Sequence, residues 1–188
     1  MYVFTGEDCT SAFKGKGKVG RPTPEMPKFH STFSQLGSIW KVSDESTAKL
    51  EAYTCAMYGY PRETEINVVR LKMLKKMVGE DETLSTKSKV DLSKLPPCRD
   101  SLIPHIQRVN YRLAQFKNAC IAIDDQPEPF EHENGWSKNE RGDIEPVWSM
   151  GEVFPTSLVD VMERIDSCDS DDEELSDIDY EFESDEDD

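Results

Sequence analysis

Leu102, Ile106, Val109, Leu113, Phe116 and Cys120 follow one another by alternating steps of four and three residues. That spacing puts all six on one face of an α-helix. A helix with a single apolar face is stable only when a second layer covers it. A chain organised around such an element is expected to be mainly α, and the segments before it agree. In "PKFHSTFSQLG", Phe29, Phe33 and Leu36 recur at helical spacing, and Gly37 can end the helix. In "SDESTAKLEAYTCAMYG", Ser43 or Asp44 can cap a helix whose stripe is Leu50, Tyr53 and Met57, and Gly59 with Pro61 stops it. Residues 63–78 turn Ile66, Val69, Met73 and Met77 one way, with Arg70, Lys72, Lys75 and Lys76 largely elsewhere. The following stretch, "GEDETLSTKSKVDLSK", has loop composition.

Pro104 falls near the start of the strongest helix. In a first turn it is tolerable, because the first N–H groups lack intrahelical partners; in a helix starting at Pro97 it is expected to kink it. His105, Arg108 and Arg112 make a basic row on the flank, either a solvated face or a phosphate-contacting surface. Further on, Gly135-Trp136 and "IEPVW" flank the polar turn "SKNERGD", which predicts a small β-hairpin near 135–148. "FPTSLVDVMERI" predicts a last short helix, and core packing is the expectation for the tryptophans and other aromatics.

Charge divides the chain sharply. Residues 166–188 hold fourteen Asp or Glu and no Lys or Arg, which leaves 24 acids against 22 bases in residues 1–165. The expected organisation is a basic Gly/Pro-containing loop over 1–28, a helical body over 29–165 and a disordered acidic tail over 166–188. The five cysteines are widely spaced and form no C-x-x-C, so free thiols in a reducing compartment are expected, with no bound cofactor. No apolar run approaches a membrane span, and an intracellular, nuclear location is the expectation.

"GKGKVG" in the opening loop fits the letters G-x-G-x-x-G, but its context rules out both nucleotide readings. A dinucleotide site needs a helix directly after the glycines, and Arg21-Pro22-Thr23-Pro24 follows instead. A Walker loop needs Ser or Thr after the lysine, and Val19 stands there. "TGEDCTSAFKGKGK" instead resembles the segment T-G-x-D-x-x-S-x-F-x-G-x-G-K of a mobile-element-associated animal family whose fuller members resemble PIN-fold, flap-endonuclease-type nucleases. "LPPCRDSLIPHIQRVNYRLAQFK" and "ENGWSKNERGDIEPVW" resemble segments that follow in the same family, so the likeness covers roughly residues 4–165. It implies that Asp8 stands where a late carboxylate of a divalent-metal cluster stands. It also implies that Gly15, Lys16, Gly17 and Lys18 form a loop that holds a nucleic-acid phosphate.

The family's other metal-binding acids precede this loop and have no counterpart here. Asp8, even with Glu7, cannot hold two ions about 4 Å apart. The expectation is a nuclease-like remnant that is not an enzyme by itself and has weak, sequence-independent nucleic-acid contact. A truncated form of a metal-dependent nuclease is the alternative within the family. A different alternative rests on the tail, where Leu175, Ile178, Tyr180 and Phe182 punctuate the acids and fit docking to a basic, histone-like partner. Ser170, Ser176 and Ser184 each have an acid three residues on, the pattern of an acid-directed kinase site.

Overall fold

The computed structural model describes residues 2–7, 10–16, 26–78, 91–120 and 126–151. They form a mainly helical body: α1 (Tyr2–Gly6), α2 (Met26–Gln35), α3 (Asp44–Met57), α4 (Ile66–Val78) and α5 (Arg99–Asn118), with a 3-10 turn at Leu92–Lys94. One antiparallel hairpin follows, β1 (Trp136–Lys138) and β2 (Ile144–Pro146), with Ser137 opposite Glu145. The helix expected within 153–165 and the acidic tail lie outside the described residues.

The local signals act where they were expected. Gly37 takes φ +72° just past α2. Ser43 caps α3, its side chain accepting from the Ser46 N–H. The carboxylate of Glu51, buried in α3, accepts the Ile66 N–H at the start of α4 and pairs with Arg99 at 3.2 Å. One buried acid thus joins α3, α4 and α5, with both of its oxygens satisfied.

α3 packs against α2, α4 and α5, and α1 packs against α5. Leu50, Tyr53, Ile66, Val69, Leu102, Ile106 and Val109 form the centre of the core. The stripe expected on α5 is buried only in its first half: Leu113 is partly buried, Phe116 is exposed, and Cys120, also exposed, lies past the end of the helix. The core also draws on the N-terminal segment. Phe4 is fully buried, with its ring centroid 5.4–5.7 Å from those of Phe13, Phe33, Tyr53 and His105. Four tilted or edge-on ring contacts make it the hub of the aromatic cluster. The described cysteines Cys55, Cys98 and Cys120 are free thiols. Burial first, and then the Glu51 charge, pushes the Cys55 thiol up to about 12.

Pro104 is the sixth residue of α5, inside the helix rather than in its first turn. Its missing N–H releases the Asp100 carbonyl, and the Met150 N–H donates to that carbonyl at 2.9 Å. The proline therefore provides an attachment point for the chain leaving the hairpin. Gly135 makes a second. It has φ +82°, and a Cβ there would lie closer than 3.0 Å to the Pro104 carbonyl and 2.9 Å from Arg108 Cγ. His132 and Glu133 just before it also have positive φ, so the turn is strained into position against the helix.

Candidate functional site

The basic row on α5 is not a solvated face. His105 and Arg108 are 4% and 3% exposed, and their polar atoms meet neighbouring segments. Arg108 donates from Nη1 to the carbonyls of Gly135 and Val147, at 3.2 and 2.5 Å, and from Nη2 to Ser11 Oγ at 3.3 Å. Arg112 pairs with Glu7 at 3.4 Å and lies over the Phe116 ring. Helical periodicity misled here, because the row faces the N-terminal segment and the hairpin, which lie roughly 30 to 100 residues away in sequence.

His105 Nε2 lies 2.8 Å from the Phe4 carbonyl oxygen, which can only accept, so the proton sits on Nε2. Nδ1 is therefore the acceptor of the 2.7 Å bond from the Ser11 hydroxyl. A serine donating to an oriented imidazole has the outline of a nucleophile and its base. The electrostatics oppose that role. The imidazole is held by a carbonyl rather than a carboxylate. Burial, and secondarily the Arg108 charge, lowers its pKa to about 4 despite the favourable Phe4 contact. The pair stays neutral and ties the N-terminal segment to α5.

A pH dependence follows. An unfolded histidine titrates near ~6.5, so between pH 6.5 and 4 the unfolded chain binds the proton that the folded chain refuses. This contribution to stability is complete above the unfolded pKa and is lost as pH falls towards the folded one. It amounts to about 3 kcal/mol over the whole window. Urea titrations at pH 7.0 and 5.0 should show the loss, and His105→Gln should flatten most of it.

Of the phosphate-loop residues, Gly15 and Lys16 are described. The Lys16 N–H closes a turn on the Phe13 carbonyl at 3.0 Å. Gly15 sits at φ +72°, and a Cβ added there would meet no described atom within 4 Å, so its backbone is open to an incoming group. Lys16 Nζ stands 4.6 Å over the Tyr58 ring. Asp8, Gly17, Lys18, Ser170, Ser176 and Ser184 lie outside the described residues. Glu7, next to Asp8, is committed to Arg112. Among the described residues no group of three or more His, Cys, Asp or Glu converges in a way that could hold a metal ion.

Two clefts share Tyr58, and the first includes the chain leading into the loop. The first, of about 390 Å³, has Lys14, Arg108 and Trp148 in its wall, with the hydroxyls of Ser11, Ser93 and Ser101. The second, of about 380 Å³, is walled by Tyr58, Tyr60, Met73 and Lys76, and Lys76 Nζ lies 5.2 Å from the Tyr60 ring centroid. Among the described residues no Asp or Glu lines either cleft. Sequence reasoning found the lysines but missed Tyr58, Tyr60 and Trp148. Trp148 is 65% exposed rather than packed in the core. Its position at the end of a predicted strand was the available signal, since the outward side of a two-stranded hairpin has no covering layer.

Comparison with protein-family models, curated proteins and solved structures finds no match to this chain. Among the described residues no helix is long and apolar enough to cross a membrane.

Proposed function

We propose that this chain is a nuclease-like protein that holds nucleic-acid backbone without reading sequence and does not itself cleave it. The observation that carries the proposal is the surface around the Gly15 turn. Lys14, Lys16 and Lys76 alternate there with Tyr58 and Tyr60, and no carboxylate of the described residues enters either cleft wall. Cations along a groove neutralise phosphates whatever the sequence, and the buried Tyr58 and half-buried Tyr60 rings hold Lys16 and Lys76 at its edge, which is the chemistry of sequence-independent backbone binding. The commitments of the nearby groups speak against catalysis: Glu7 is held by Arg112, and the Ser11–His105 pair by its neutral state.

The test is fluorescence anisotropy with two unrelated single-stranded 20-mers over a range of salt. Both should bind alike, with log affinity falling linearly in log salt. Lys16→Glu with Lys18→Glu should weaken both by about tenfold or more at low salt. Equal binding by that double variant would remove the loop from the reading. With magnesium or manganese the protein should leave flap and single-stranded DNA intact. Cleavage that disappears in Asp8→Ala would overturn the non-catalytic assignment.

A second reading rests on the fourteen acids of residues 166–188. Such a segment docks on basic, histone-like proteins and competes with nucleic acid for the lysines of the body. Deleting 166–188 should abolish capture by histones and raise oligonucleotide affinity severalfold. No change in either assay would reduce the segment to a solubilising role.

A further inference from the structure

We propose that the cleft between Lys14, Arg108 and Trp148 is a binding site for a nucleoside monophosphate, with the phosphate at the Lys14 end and the base on the Trp148 indole. The site shares Lys14 with the surface proposed above but does not rest on strand binding. Three features of the cleft carry the inference.

The first is presentation. Trp148 is largely exposed, yet the backbone on both sides of it is pinned: the Val147 carbonyl accepts from Arg108, and the Met150 N–H donates to the carbonyl that Pro104 releases. The Arg108 guanidinium carbon lies 5.4 Å from the indole centroid and backs one face of the ring. The remaining exposure leaves indole surface for a flat aromatic ligand to stack on.

The second is charge. Lys14 and Arg108 line the cleft, and among the described residues no Asp or Glu does. Arg108 uses three of its five N–H donors on Gly135, Val147 and Ser11, so its charge is fixed in place by the fold. Ser101, in the first turn of α5, brings a hydroxyl and the positive end of a 20-residue helix to the same wall. Lys14 Nζ bonds to the Ser93 hydroxyl, which in turn donates to Asp91, so the lysine is positioned by a polar chain whose carboxylate stays out of the cleft wall.

The third is size. A volume of about 390 Å³ lies at the small end of the range for small-molecule sites and suits one nucleotide. A free nucleotide and the phosphorylated end of a strand present the same chemistry here.

Calorimetric titration of the full chain with AMP, adenosine and inorganic phosphate tests the site. AMP should bind about tenfold or more tightly than either half. Trp148→Ala should weaken AMP by at least about fivefold, the low end for loss of one base–aromatic stack, while leaving phosphate unchanged. Lys14→Ala should weaken AMP and phosphate alike. Both positions are exposed, so the variants retain the fold, as near-UV circular dichroism would verify. AMP binding no tighter than phosphate, or unchanged in Trp148→Ala, overturns the proposal. Lys76→Glu should leave AMP binding intact while weakening the 20-mers, so failure of the cleft and failure of the strand surface read out separately. Competition with octamers bearing or lacking a terminal phosphate then assigns the source. Displacement of AMP by the phosphorylated octamer alone supports the site as one for strand ends. Displacement by neither supports it as one for free nucleotides.

Discussion

Gly37→Ala is expected to cost about 4 kcal/mol of stability, more than a glycine-to-alanine change in an open turn. Two penalties add. The residue has φ +72°, where a Cβ is strained whatever surrounds it. The new Cβ would also lie 2.5 Å from the Leu113 carbonyl carbon and 2.6 Å from the Ala114 nitrogen, both in the backbone of α5. A side chain can rotate out of the way, but a helix backbone cannot. The turn after α2 would have to lift off α5. Gly15→Ala provides the control, because it has the same φ and no described atom within 4 Å of the added Cβ. It should cost only the conformational part, about 1 kcal/mol. Urea denaturation of the two variants separates the terms, and near-equal losses would mean that the close approach at Gly37 is not maintained in solution.

The second large effect belongs to Asn110, which is 1% exposed on α5. Its Oδ1 accepts the Gly37 N–H at 2.8 Å, and its Nδ2 donates to the carbonyls of Ile39 and Trp40 at 2.9 and 2.7 Å. One amide therefore satisfies three backbone groups of the α2–α3 connection. Asn110→Ala leaves all three without that partner and should cost about 3 kcal/mol. Asn110→Asp is no rescue, since it keeps the acceptor and turns a carboxylate oxygen towards two carbonyls. Gly37 and Asn110 serve one contact, so the double variant should lose clearly less than the sum of the singles. Strict additivity would show that the two residues act independently.

The mainly helical fold was legible in the sequence to the extent that it depends on local signals. Periodicity placed the buried stripes of α3, α4 and the first half of α5, while Gly37 marked the end of α2, Ser43 the start of α3 and the turn around Gly142 the hairpin. What escaped depended on contacts distant in sequence. Asn110 gives no sign, as a residue type, that it knits a loop some 70 positions earlier. His105 and Arg108 read as surface because charge and helical angle carry no information about what a later hairpin or an earlier segment lays over them. Phe4 went unnoticed because five residues are too few for a periodic pattern. At the candidate site the lysines were visible from composition, whereas Trp148 and Tyr58 meet Lys14 only once α5 has brought three separate segments together.

The bonds between His105 and the first residues have a consequence for synthesis. Phe4 and Ser11 leave the ribosome well before α5, and the imidazole that bonds both is 101 and 94 residues behind them. At roughly 5–20 residues per second, the aromatic hub of the core stays without that partner for about 5–20 s. Until α5 emerges, Phe4 and Phe13 lack part of their cover, and the N-terminal segment completes its place in the core only after the other described helices have been made. Slowing translation ahead of α5 should therefore lower the soluble yield of this protein more than slowing it afterwards.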